Sequence, residues 1–92
     1  DIFFIKAGKL ITPTLNLGIL PGVMRDTIIE IAQLINLEVS ETQIRFSEIN
    51  QMEEAFISST GIGLYPCHWD DWTSNYRITN RLRGKLINVI KA

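Results

Sequence analysis

The chain has 92 residues, 46% of them hydrophobic, and a formal net charge of −1. That is one domain at most, with the composition of a soluble globular protein rather than a disordered segment. The near-neutral balance gives nucleic acid no electrostatic purchase, and no apolar run nears the ~20 residues that would span a bilayer, so neither nucleic acid nor membrane is expected as a partner. The single cysteine, Cys67, has no internal disulfide partner. That fits a reducing compartment such as the cytoplasm, or simply the absence of selection for crosslinks.

The first twelve residues after Asp1 read as strand, turn, strand: "IFFIK", the turn Ala7-Gly8, then "KLITP" closed by Pro13. Alternation sets Phe3 and Ile5 opposite Phe4. A chain that opens directly on such a strand reads as a piece of something longer, and Phe3, Phe4 and Ile5 are then candidates for apolar surface left open by a missing partner. From about Pro21 to Ile35 the pattern is helical. Met24, Ile28, Ile31 and Ile35 form one apolar face, Ile29, Ala32 and Leu34 widen it, and Asn36 is the stop signal. "LEVSETQI" is a strand. "FSEINQME" gives one or two helical turns with Ser47 as N-cap. "EAFISSTG" is a short central strand, with Glu53 and Glu54 as solvated charge ahead of it. "IGLYPCHW" is a strand that Pro66 places near an edge or a bulge. A polar loop holding Trp69 and Trp72 leads to a last helix, with Ile78, Leu82, Leu86 and Val89 at helical spacing and a solvated basic face. The order is ββαβ(α)ββα, a mixed α/β (α+β) single domain over residues 1–92.

Two segments carry chemistry. "GILPGVMRD", residues 18–26, opens a helix with bare backbone around Gly22 and then places Arg25 in the first turn, where the helix dipole disfavours a cation by a few tenths of a kcal/mol. The unpaired N–H groups of such a start bind phosphate or carboxylate without a cationic side chain. The plainer reading is a tight Pro-Gly turn. "SSTGIG", residues 58–63, ends a strand with three hydroxyls and two glycines, which again suits an anion and again has a plain reading as a glycine turn. Neither is a nucleotide motif: GxxxxGK[ST] and GxGxxG are both absent.

Taken together, "FFIKAGKLITP", "GILPGVMRDTIIEIA" and "LEVSETQIRFSEINQMEEAFISSTGIGLYP" resemble the C-terminal part of class IV aminotransferases, the fold-type IV pyridoxal-phosphate enzymes. The resemblance runs over residues 2 to 66. The "DDWTSNYRIT" segment departs from the family's glycine-rich turn before the final helix. The resemblance implies a truncated fold-type IV domain whose Gly22, Val23 and Met24 hold the cofactor phosphate by backbone amides, with Ser59 and the Thr60 hydroxyl beside them. It puts the Gly61 and Ile62 amides near the substrate carboxylate. Arg25 and Asp26 look structural. The implied cofactor is pyridoxal 5'-phosphate. The implied partners are an N-terminal domain of the same polypeptide, a second copy of the parent in a homodimer, and a small-molecule substrate.

The family's Schiff-base lysine and the glutamate facing the pyridine nitrogen fall upstream of this chain in the family pattern. Lys6, Lys9, Lys85 and Lys91 do not match the lysine's place, so no catalytic residue is assigned and the isolated chain is expected to be inactive. The parent reading is an aminotransferase acting on an amino acid and a 2-oxo acid. Aminodeoxychorismate lyase is the alternative within the family, favoured by Met24, where threonine is common, and by the altered tail. A stand-alone, non-enzymatic metabolite-binding module is the alternative outside it. Cys67-His68 invites a metal reading, but no second cysteine or histidine exists to complete a ligand set, and none is assigned.

Overall fold

The computed structural model describes residues 1–14, 23–59, 61 and 63–91. Its elements are β1 (Ile2–Lys6), β2 (Lys9–Pro13), α1 (Val23–Leu34), β3 (Glu38–Thr42), a 3-10 helix (Phe46–Gln51), β4 (Glu54–Ser59), β5 (Gly63–Pro66) and α2 (Arg77–Lys91). The five strands form one sheet in the order β3-β2-β1-β4-β5. All neighbours are antiparallel except β2 and β3, which the α1 crossover makes parallel.

β1 turns into β2 through Ala7 and Gly8 at φ 51° and 75°. Positive φ at both centres marks the two-residue hairpin turn whose twist matches its strands. α1 ends where Asn36 takes φ 60°. There the Asn36 N–H donates to Gln33 O at 3.1 Å and the Leu37 N–H to Ala32 O at 2.8 Å, the paired bonds of a Schellman stop.

Both faces of the sheet are covered. Phe3, Ile5, Leu10, Phe56 and Leu64 lie on one face with Ile28, Ile31 and Ala32 of α1 and Leu82 and Leu86 of α2. Phe3 and Phe56, cross-strand partners, stack with ring centroids 5.0 Å apart. On the other face Phe4, Met52 and Ala55 are covered by Ile44, Ile49, Trp69 and Trp72.

This arrangement corrects four expectations. Phe3, Phe4 and Ile5 are no open surface: they are 0%, 2% and 1% exposed, because β1 lies in the middle of the sheet. Leu34 and Val89 are exposed, at 80% and 52%: helical spacing turns Leu34 off the face that Ile28, Ile31 and Ile35 share, and Val89 sits in the last turn of α2. Ser47 does not cap the 3-10 helix. The cap is Arg45, whose N–H donates to Glu48 Oε1 at 3.3 Å while its carbonyl accepts from the Glu48 N–H at 2.9 Å. Glu54 is buried rather than solvated, and its carboxylate accepts from the Ile78 N–H (3.0 Å) and the Thr79 N–H (2.7 Å) at the start of α2.

Strand register decides what meets at the sheet's ends. Ile2 pairs with Ile57, Phe4 with Ile11, Pro13 with Thr42 and Ser59 with Gly63. The C-terminal ends of β2, β3 and β4, the start of β1 and the turn holding Gly61 therefore share one end. α1 starts from that end too, because it follows β2 and returns through Asn36 to Glu38, which pairs with Lys9 at the far end.

Candidate phosphate-binding site

The end of the sheet where α1 begins collects polar groups on the helix-covered face. Thr12 is 1% exposed, and its Oγ1 donates to Ile2 O at 2.9 Å. Ser58, parity partner of Phe56 and Glu54 on β4, is 4% exposed, and its Oγ has no hydrogen-bond partner among the described residues. Arg25 is 3% exposed, and its Nη2 likewise has none. A buried hydroxyl without a partner costs free energy, so Ser58 Oγ calls for an acceptor beyond the described residues, whereas Arg25 Nη2 has the Glu41 carboxylate beside it as a charge partner.

At the start of α1, no described residue accepts from the N–H groups of Val23, Met24 or Arg25. A helix leaves its first N–H groups without intrahelical partners, and the dipole makes that end attractive to anions. Val23 is 77% exposed, whereas Met24 packs against the core. Gly61 stands at φ 92° with no atom within 4 Å of where a Cβ would lie. Side chains rarely adopt that conformation, and the turn leaves its backbone open.

Of the residues that the sequence singles out, Val23, Met24, Ser59 and Gly61 all lie at this one end. Gly22, Thr60 and Ile62 lie outside the described residues. Ser59 alternates with Ser58, so its side chain belongs to the face opposite α1 and it offers the α1 side its main chain. Ser58 is one of the three hydroxyls of the anion-suited "SSTGIG" segment, without an assigned contact, and Thr12 carries no sequence signal for a site. Ser58's parity with Phe56 carried the signal, since strand alternation puts the two on one covered face. The Arg25 Nη2 lies 3.4 Å from Glu41 Oε2, near the end of β3. Asp26, its sequence neighbour, is exposed.

Lys6 and Lys9 lie elsewhere. Lys6 and Lys9 flank the hairpin turn at the far end, with Lys6 Nζ donating to Gln51 Oε1 at 3.1 Å and Lys9 Nζ 3.8 Å from Glu38 Oε2. Lys85 is exposed on α2. Cys67 and His68 follow β5 in a non-strand segment, and burial pushes the Cys67 thiol pKa up, which keeps it protonated. The aromatic loop is a cover rather than an open recognition surface. Trp69 and Trp72 stack at 4.1 Å, and their Nε1–H groups donate to Asn50 Oδ1 and Met52 O, each at 2.8 Å.

Helix-start amides and a buried hydroxyl form a donor set suited to a phosphate group, and the buried Arg25 guanidinium adds positive charge at the same helix start. The chain belongs to the amino-transferase class IV family, whose sequence model matches residues 2–68. It is 36% identical over 66 residues to a probable branched-chain-amino-acid aminotransferase of Thermotoga maritima, an alignment covering 72% of this chain and 24% of that one. Among solved structures it superposes with TM-score 0.87 and 34% identity on the branched-chain amino acid aminotransferase of Thermobaculum terrenum in its PLP form, covering 97% of this chain and 31% of that one. It also superposes with TM-score 0.88 on 4-amino-4-deoxychorismate lyase of Pseudomonas aeruginosa, at 22% identity, over 100% of this chain and 35% of that one. The chain thus spans about a quarter of the length of the Thermotoga relative.

Proposed function

We propose that this chain supplies the cofactor-phosphate-binding part of a pyridoxal-phosphate-dependent aminotransferase that acts on an amino acid and a 2-oxo acid. The observation that carries the proposal is that the first-turn amides of α1 and the buried Ser58 Oγ, none with a hydrogen-bond partner among the described residues, share one end of the sheet with the buried Arg25 guanidinium. Val23 and Met24 hold phosphate oxygens by their N–H groups, with Gly22 and Thr60 completing the cup and Ser59 adding a main-chain contact. Gly61 and, by the family resemblance, Ile62 are assigned to the substrate carboxylate. When bound, the cofactor supplies the electron sink that amino-group chemistry needs. The protein's share is to anchor it by the phosphate, so that its ring is held in one orientation.

The family's chemistry also needs an amine and a carboxylate at the cofactor ring, and Lys6 and Lys9 lie at the far end of the sheet from the start of α1. Those groups belong to the part of the protein that the relatives have and this chain does not span, and the whole protein works as a homodimer in the cytoplasm. The 92-residue chain alone is therefore a binding piece without activity. Aminodeoxychorismate lyase is the second reading. It rests on Met24, which offers a backbone amide but no hydroxyl.

The test is a titration of the isotopically labelled chain with inorganic phosphate and with pyridoxal phosphate, read by amide NMR shifts. Saturable shifts centred on Val23, Met24, Ser59 and Gly61 with both ligands support the proposal. Shifts scattered over surface lysines, or none, refute it.

A further inference from the structure

Arg25 is the third residue of α1, yet it is only 3% exposed. Its charged neighbour among the described residues is Glu41, whose Oε2 lies 3.4 Å from Nη2 without hydrogen-bond geometry. The two partners are unequally placed: the Arg25 side chain is 4% exposed and the Glu41 side chain 48%. Water screens an exposed charge far better than a buried one, so the carboxylate does not cancel the guanidinium. A net positive field remains. Side chains in a helix lean towards its N-terminus, so this field falls on the turn that carries the Val23 and Met24 amides.

We infer that the Arg25–Glu41 pair sets the anion affinity of the α1 start through its charge, Arg25 raising that affinity and Glu41 tempering it. The ligand class is a phosphate dianion, free or as a monoester. Arg25 is thus a positioning charge behind the amides rather than a catalytic residue. It is disfavoured by the dipole when the site is empty and favoured when an anion is bound. The inference rests on the phosphate-site reading above and adds to it a residue that touches β3 rather than the amides.

Opposite signs make it testable. Inorganic phosphate is titrated into the chain, Arg25→Met, Arg25→Lys and Glu41→Gln, with folding checked by circular dichroism. Arg25→Met keeps the buried volume and should weaken binding about tenfold at low salt, as loss of one poorly screened charge implies. Arg25→Lys should stay within about threefold of the parent, because the charge is kept. Glu41→Gln should tighten binding by about threefold, and the spread among variants should shrink at high salt. A pair that merely braces α1 against β3 would weaken binding in both Arg25→Met and Glu41→Gln, and that result overturns the inference. So does unchanged affinity in Arg25→Met while the parent binds, which leaves the phosphate site itself standing. No binding by the parent removes both. Should Arg25→Met fail to fold, the sign of the Glu41→Gln effect decides alone.

Discussion

The carboxylate of Glu54, on β4, accepts a 2.7 Å hydrogen bond from the Thr79 N–H in the first turn of α2. A second bond, from the Ile78 N–H at 3.0 Å, engages the other carboxylate oxygen. A side chain 24 and 25 positions away in sequence therefore caps the helix, with its negative charge set against the positive end of the dipole. Glu54→Ala should lower unfolding free energy by about 2–4 kcal/mol, since it leaves two N–H groups unpaired in a buried setting. Glu54→Gln keeps an acceptor oxygen and should lose less. Denaturant melts of the two variants beside the parent check this, and an Ala variant as stable as the parent would remove the cap.

Ala7 sits at φ 51° in the two-residue turn, before Gly8 at φ 75°. A left-handed conformation strains an alanine, whereas asparagine tolerates it and is favoured before glycine in this turn. Ala7→Asn is expected to raise stability by about 1 kcal/mol. A fall in the thermal midpoint would show that the turn has another geometry.

The two tryptophans should respond differently to Phe. Trp72 Nε1–H bonds the Met52 carbonyl in partly buried surroundings, and Trp69 Nε1–H bonds the exposed side chain of Asn50. Trp72→Phe should cost about 1–3 kcal/mol and Trp69→Phe less than about 1 kcal/mol. Equal losses in urea melts would mean that ring stacking, not hydrogen bonding, holds the loop.

The organisation of the chain was legible wherever one segment decides its own shape. The Ala7-Gly8 hairpin, the Met24-Ile28-Ile31 face of α1 and the Asn36 stop are local, and local rules found them. Pro66 restricts its strand to an edge or a bulge, because a missing N–H is a property of one residue, and the sheet order makes it the edge. What stayed hidden depends on residues far apart. Phe3, Phe4 and Ile5 read as a surface for a partner because a strand does not announce how many neighbours it has; β4 supplies the second one. Glu54 read as solvated because its two donors lie beyond the polar loop. The candidate site was legible in part. Val23, Met24, Ser59 and Gly61 lie at one end of the sheet, whereas Thr12 and the burial of the Ser58 hydroxyl emerge only once the register shows which side chains share a face.

Cys67 gives a pH signature. Burial raises its thiol pKa in the fold, so the unfolded chain releases that proton at lower pH than the folded one. Between the two pKa values the folded state binds more protons, and stability falls as pH rises through that window above the ordinary thiol range. The contribution is fully present below the unfolded value. Denaturant midpoints at pH 7 and pH 10 should differ less for Cys67→Ala than for the parent. An identical drop in both would show that the thiol's surroundings do not penalise the thiolate.

The middle place of β1 has a kinetic consequence. Its partner on one side, β2, is a turn away, but on the other side Asp1 and Ser58 exchange main-chain hydrogen bonds across 57 positions of chain. Closing so long a loop is entropically costly and slows folding relative to local contacts. The hairpin and α1 can form early, whereas the arrival of β4 beside β1 gates the transition state. Substitutions at Phe56 should then slow refolding, while substitutions at the Asn36 stop should leave the refolding rate nearly unchanged and accelerate unfolding.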